Sequence, residues 1–453
     1  MDGAPAQADI LAVGERLAAA LPASHGPMRS LDDRAMDLAA HDPDLRAALF
    51  RFVDVAPACR DLNDLARHLT GFLDEAREHS GREPPPPLQM ARRMGATRAG
   101  RTALGAAAAA GVRHMAHRFI VGRTARDASG VLRDLWDRGV ATSVDLLGEM
   151  TVTASEADRY AARCREALDQ LAAVYAPLPP RSALERDGAG PLPRVNLSVK
   201  VSALTPLLRA DAPELGRRDA AGRLRELLRH ARELSAHLHI DMESFDHREA
   251  VTDLVLELLA EDEFAAGPSA GTVLQAYLRD SPELCDRLVT WAGEHPRQHP
   301  FVVRLVKGAY WDHEVVAARQ HGWESPVFEH KPESDRNFEE LTRGLLAARP
   351  AVRVAVASHN LRSVAHAVAA LVADPDRHAH GKARVDDAQR ARQRVAHRRP
   401  AQLEDRLVPE RRQRGHGGRR AHGAASSSAS GRPEAWSARK LSCEVFSRSR
   451  RTR

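Results

Sequence analysis

From Gly139 onward, short apolar runs alternate with longer segments whose apolar residues recur at helical spacing. The runs predict strands over Thr142–Leu147, Val195–Val201, Leu238–Met242, Thr272–Ala276, Phe301–Val306 and Val352–Ala357. Helices are predicted between them, for example over Glu156–Val174, Ala220–Leu238 and Ser281–Glu294. Strand–helix alternation of this length argues for a parallel sheet covered by helices, and its repetition for a TIM-type barrel or a doubly wound sheet. No GxGxxG follows a strand and no glycine-rich P-loop is present, which argues against Rossmann dinucleotide binding and P-loop chemistry. Upstream, residues 1 to about 80 read as helical, as in MDLAAHDPDLRAALFRFVDV. The proline run Pro84 to Pro87 marks a linker or turn, and the Ala-rich stretch from Met90 to about Val121 reads as one or two helices.

Polar residues gather where these strands end. The first ends in Gly148-Glu149, the second carries Lys200 and Ser202, and the third ends in Asp241, Glu243 and Ser244. The fourth carries Gln275, the fifth Arg304 and Lys307, and the sixth Ser358, His359 and Asn360. In a barrel such positions converge on one mouth, and buried charges persist only where they serve a ligand or one another. The segment FVVRLVKGAYWDHE, Phe301 to Glu314, concentrates the pattern. A glycine admits close backbone approach, cations offer charge-assisted donors, and aromatic rings offer flat faces. Taken alone, an ordinary buried strand with a polar end reads the same way.

The 453 residues supply one large domain with an appendage, or two or three domains. With 43% hydrophobic but only 4% aromatic residues, Leu, Val and Ala must fill the core. No apolar run is long enough to span a membrane, and the start MDGAPAQADILAVGERL has neither the basic nor the apolar region of a secretory signal. Cys59, Cys164, Cys285 and Cys443 lie far apart with no CxxC pair, which predicts unpaired thiols in a reducing cytoplasm. His114 and His117 have no third ligand nearby and read as helix surface, so no metal site is expected. The net charge of +6 is unevenly placed: Asp374 to Arg453 carries 21 Lys+Arg against 9 Asp+Glu, leaving 46 against 52 in the remainder.

The segments LLGEM, NLSVKVSAL, HIDMES, VLQAY, VRLVKGAYWD and ASHN, in this order from Val144 to Asn360, resemble the proline dehydrogenase domain of the proline utilisation A family. HDPDLRAALFRFVDVAP is similar to that family's N-terminal helical arm, so the likeness runs from about Leu31 to Leu371. The resemblance implies a distorted (β/α)8 TIM-type barrel that binds FAD and oxidises L-proline to pyrroline-5-carboxylate by hydride transfer. The flavin supplies the redox chemistry and the protein tunes it. It implies residues 1–88 as helical arm, 89–373 as barrel and 374–453 as a basic, low-complexity, disordered tail. It also implies a cytoplasmic protein with peripheral contact at the inner face of the plasma membrane. Electrons would pass to a quinone or other acceptor there, with homo-oligomer formation compatible and no nucleic-acid partner favoured.

Matched residue by residue, Arg304 corresponds to an arginine beside the flavin ring, where a fixed cation stabilises charge gained on reduction. Val306, Lys307, Gly308, Tyr310 and Trp311 fall on FAD-contacting positions. Gln275 matches a glutamine on the isoalloxazine. Ser358, His359 and Asn360 match a further contacting set. Lys331 and Ser334 fall near positions holding the adenosine or phosphate portion. Lys200 and Asp241 match the active-site lysine and aspartate, and Glu149 a glutamate that pairs with a substrate-binding arginine. A structural ion pair is the less favoured alternative for Lys200 and Asp241.

The resemblance stops near Ala373. The family continues with two more strands, a tyrosine, and a last helix YLxRRxxEN whose arginines clamp the proline carboxylate. None of these appears, nor does the aldehyde dehydrogenase half of the longer family protein. Arg398-Arg399 precedes Pro400, which disfavours a helix through the pair, and the clamp is not assigned to it. The sequence from 374, rich in Arg, His, Ala, Gly and Ser, is too polar to bury a core. Three readings stay open: a shift of frame near Ala373, which is preferred, a basic tail for nucleic acid or an acidic membrane, and an inert extension. The first would leave a non-catalytic fragment, and the second a nucleic-acid-binding protein.

Overall fold

Six parallel strands frame the larger part of the molecule. The computed structural model describes residues 5–20, 41–116, 120–148, 150–373 and 441–447. Glu149, His117 and Arg398-Arg399 lie outside the described residues, as does the tail apart from 441–447. The chain divides into two compact units.

The smaller unit contains four described helices: α2 (Pro43–Val55), α3 (Leu62–Ser80), α4 (Pro86–Met94) and α5 (Arg98–Ala116). Leu45, Phe52, Leu65, Leu69, Leu73 and Leu104 form its core. Asp42 and Asp61 cap α2 and α3 through their side chains. The proline run opens α4, because a proline in the first turn has no intrahelical N–H to lose. The Ala-rich helix, expected to reach about Val121, stops at Ala116, and Ile120–Gly122 is strand β1.

The larger unit contains α1 (Gln7–Ala19) and, among the described residues, everything from β1 onward. Its parallel strands are β2 (Val140–Leu146), β3 (Asn196–Lys200), β4 (His237–Asp241), β5 (Ser269–Gln275), β6 (Phe301–Val306) and β7 (Val352–Val356). They pair in chain order and curl into a half-barrel, as an incomplete TIM-type barrel requires. The strand Leu441–Ser447, β8, pairs antiparallel with β2 and with β1. These seven residues thus depart from the expectation of a structureless tail. LSCEVFS has a short β-type pattern, and β2 offers it a free edge.

Helices α6 (Ser129–Asp137), α7 (Ala154–Tyr175), α8 (Pro213–Glu233), α9 (Arg248–Leu259), α10 (Ser281–Glu294), α11 (Trp311–His321), α12 (Lys331–Ala347) and α13 (Leu361–Ala373) lie between and after the strands. A capping box of Thr153 and Glu156 starts α7. The helix expected over Ala220–Leu238 begins earlier, with Pro213 in its first turn. It ends at Glu233 because Ser235 takes a left-handed φ of 50° and turns the chain into β4.

Strand residues alternate between two environments. Val144, Leu197, Val199, Leu238, Ile240, Val303 and Leu305 pack with Leu168, Leu171, Leu224, Val255, Leu288 and Phe338 in one apolar cluster. At about 25 cal/mol per Å² of buried apolar surface, this layer is the main favourable term. The opposite faces carry Ser143, Asp145, Ser198, Lys200, His239, Asp241 and Arg304. Gly271 sits in this inner series beside Val302, where a Cβ would stand 1.9 Å from the Val302 carbonyl oxygen. We expect Gly271→Ala to destabilise the fold by about 3 kcal/mol, because backbone would have to move. Chemical denaturation of the two proteins measures it.

Candidate functional site

Strand register brings the inner residues into layers. Asp145 of β2 pairs with Ser198 of β3, Lys200 with Asp241 of β4, and Val273 of β5 with Arg304 of β6. At the C-terminal ends the charges meet. The Lys200 ammonium donates to both oxygens of Asp145, at 2.8 and 2.9 Å, and to Asp241 Oδ2 at 3.2 Å. Arg304, only 4% exposed, donates from Nη1 to Asp241 Oδ1 at 3.0 Å. Its Nη2 donates to the hydroxyls of Ser143 (3.0 Å) and Ser198 (2.9 Å). Ser143 donates in turn to Asn196 Oδ1 at 2.8 Å, which turns its lone pairs toward the guanidinium. The buried Tyr160 hydroxyl accepts from the Lys200 backbone N–H at 3.1 Å.

One carboxylate therefore serves two cations. Burial pushes the Asp241 carboxyl up to about 6, against the downward pull of Lys200 and Arg304. Burial disfavours the Lys200 charge, but Asp241 and Asp145 outweigh it and its pKa rises. Deeper in the barrel, His237 bonds Ser269 Oγ (2.8 Å) and His239 Nδ1 (3.1 Å). Burial, followed by Arg304 and Arg353, pushes His237 down to about 3, so this imidazole stays neutral.

The other described residues singled out from the sequence stand at the ends of β5, β6 and β7 and in the first turns of α11 and α12. Gln275, 3% exposed, donates from Nε2 to the Glu243 carbonyl at 2.9 Å, and its buried Oε1 has no partner. Gly308 has φ 129°, and a Cβ there would stand 2.4 Å from the Tyr277 ring, so only glycine fits. Val306 is half-buried at the end of β6. Tyr310 caps α11, and burial followed by Glu243 raises its pKa. Trp311 is 38% exposed and donates from Nε1 to the Phe328 carbonyl at 2.9 Å. Lys307 contacts Asp335 and lies 5.6 Å from the Phe338 ring centre. Lys331 reaches the other Asp335 oxygen at 3.0 Å. Ser334 is buried in the first turn of α12.

Ser358 and Asn360 are occupied locally: Ser358 Oγ accepts from the Asn360 N–H (3.1 Å), and Asn360 Oδ1 accepts from the Ser363 N–H (3.0 Å). His359 is exposed. Lys200, Asp241 and Arg304 thus come together in direct contact, while Lys307 and Lys331 form a second centre on Asp335. Sequence reasoning missed Asp145, Ser143, Ser198 and Asp335. The signal for the first three was the alternation Ser143-x-Asp145 and Ser198-x-Lys200, which puts each pair on one strand face.

The donor set fits a flavin. A buried unpartnered acceptor at Gln275, the Gly308 backbone that excludes any Cβ, two lysines sharing one carboxylate, and the rings of Tyr310 and Trp311 suit a flat ring system carrying a pyrophosphate.

A model of the proline dehydrogenase family matches residues 128–383, and one of the proline utilization A N-terminal domain matches residues 7–119. Bifunctional protein PutA of Salmonella typhimurium is 31% identical over 255 residues, 56% of this chain and 18% of that protein. Proline dehydrogenase 1 of Bacillus subtilis is 27% identical over 237 residues, 52% of this chain and 63% of that one. The crystal structure of proline utilization A from Bdellovibrio bacteriovorus, inactivated by N-propargylglycine, superimposes with a TM-score of 0.71 at 31% identity. It covers 81% of this chain and 36% of its own. The matched stretch is under a fifth of the length of the Salmonella relative.

Arg304→Met leaves one Asp241 oxygen and two serine hydroxyls without their donor. A loss of about 3–5 kcal/mol is expected from breaking a buried pair. Adding Asp241→Asn should recover part of it, since coupled sites are not additive. Urea denaturation of the single and double variants checks both values.

Proposed function

The chain belongs to the proline dehydrogenase family, and on that premise we propose that it oxidises L-proline to pyrroline-5-carboxylate with FAD as the bound acceptor. The observation that carries this reading is the Lys200–Asp241–Arg304 array at the strand ends, next to the unpartnered acceptor of Gln275. When bound, FAD supplies the acceptor for the hydride that leaves the proline ring carbon beside nitrogen, the amine proton going to solvent.

The remaining work falls to the protein. Gln275 Oε1 would accept from a ring N–H, and Lys307 and Lys331 would offer ammonium groups to the pyrophosphate, with Ser334 beside them in the helix turn. Val306 and Gly308 would line the approach of the ring, and Tyr310 and Trp311 would cover it, shielding the reacting atoms from water. Ser358, His359 and Asn360 would flank the cofactor from the loop after β7. Arg304 would hold a fixed positive charge where the reduced ring gains negative charge, at no cost in reorganisation because Asp241, Ser143 and Ser198 already orient it. Lys200 would line the substrate side, and Glu149 has the part the resemblance gives it, pairing with a substrate-binding arginine. Passage of the electrons to a quinone or other acceptor at a membrane belongs to the same proposal.

Visible absorbance of the purified chain, before and after anaerobic L-proline, tests the reading. A flavin band that bleaches is expected, and absence of flavin after incubation with FAD would sink the proposal. Gly308→Ala is expected to lose the band with little change in helical circular dichroism, because the clash with Tyr277 is local. Turnover should fall as pH drops through about 6, where Asp241 takes a proton and loosens its hold on Lys200 and Arg304. A rate that stays flat from pH 7 to pH 5 would contradict that role.

A further inference from the structure

Asp145 appears in none of the motif matches that singled out Lys200 and Asp241, yet it makes the tighter contact with Lys200. Both its oxygens accept from the ammonium, at 2.8 and 2.9 Å, whereas Asp241 accepts once, at 3.2 Å. The two carboxylates stand on either side of one ammonium, from β2 and β4, with Lys200 on the strand between them. Asp241 has its other oxygen on Arg304, from β6. Were the ammonium not held from the β2 side, no other side-chain hydrogen bond among the described residues would keep it from closing on both Asp241 oxygens and competing with the guanidinium.

We propose that Asp145 is a positioning residue that holds Lys200 on the β2 side and so keeps Asp241 divided between Lys200 and Arg304. Its relevance to proline oxidation rests on the functional reading above, but the arrangement itself is tested without turnover. Removing Asp145 has two effects of the same sign. It deletes a negative neighbour of Asp241, and it releases Lys200 to move closer to Asp241. Both favour the ionised carboxylate.

Among the described residues, four groups besides Asp145 face Asp241. Lys200 comes from β3, Arg304 from β6, Tyr160 from α7 and Tyr310 from the start of α11. The inward residues of β5, Gly271, Val273 and Gln275, do not titrate, and His239 lies below on β4 itself. The folded carboxyl titrates above its unfolded value near 4. Its contribution to stability is therefore full at low pH and lost as pH rises through about 6.

The experiment is the melting temperature of the full chain between pH 4 and pH 8, with and without added FAD, in a mutant cycle. The difference between wild type and Asp241→Asn isolates Asp241 and cancels the buried histidines. In wild type this difference should decline from about pH 4 and level off near pH 6. In the Asp145→Asn background the levelling-off should come about one pH unit lower, a tenfold change in proton affinity. In Asp145→Glu, which keeps the charge, it should stay near the wild-type pH. A purely structural Asp145 would lower the melting temperature at every pH and leave the decline in place. That result, or no decline in the wild-type pair, overturns the proposal. If Asp145→Asn does not fold, Asp145→Ser carries the same comparison. Since flavin-free protein gives the readout, failure to bind FAD would count against the functional reading alone.

Discussion

A single carboxylate shared by two cations inside a barrel is the constraint on which the rest of this structure turns. Asp241 accepts from Lys200 with one oxygen and from Arg304 with the other, at positions largely withdrawn from solvent. In a low-dielectric interior such an arrangement persists only with excellent geometry and further hydrogen bonds around it. Ser143 and Asp145 of β2 and Ser198 and Asn196 of β3 supply several of these. Parallel pairing in chain order is what lets residues as far apart in sequence as Ser143 and Arg304 meet, because each strand delivers its carboxyl end to the same rim.

Stability has to come from elsewhere in the same strands. Holding two cations and two carboxylates in the interior costs desolvation energy that their mutual attraction at best balances. The outward residues, Leu197, Val199, Leu238, Ile240, Val303 and Leu305, meet a continuous apolar layer on the helices. Buried neutral histidines on β4 sit beneath the charged rim and add polar contacts without adding charge. Arg353 closes a further buried pair with Asp187, at 2.8 and 3.0 Å.

Much of the framework was readable from apolar periodicity. All six parallel strands fall where the runs predict them, within three residues at either end, because a strand buried on its helix-facing side must be apolar at alternate positions. Boundaries set by local backbone geometry were less visible. The start of α8 depends on Pro213 and its end on the turn at Ser235, neither of which changes hydrophobic periodicity. Lys200, Asp241 and Arg304 were found through motifs, and the structure puts them in contact. Asp145 escaped because an aspartate inside an apolar run, SVDLL, looks like a flaw in the strand until its neighbour at Lys200 is known. Ser143 and Ser198 carry no charge and no motif, and only strand register reveals what they touch. Asp335 sits inside an exposed-looking helix turn, where its role as counter-ion to Lys307 depends on a residue 28 positions away.

The alternation along β4 has an evolutionary corollary. His237, His239 and Asp241 face one way and Leu238 and Ile240 the other. Drift in the leucine series is judged by packing volume, and drift in the histidine–aspartate series by charge and hydrogen-bond geometry. The two histories can proceed almost independently within five consecutive codons. A lineage could rebuild its helix shell without touching its chemistry, or retune its chemistry while keeping the shell, as long as neither series slips by a single residue against β3.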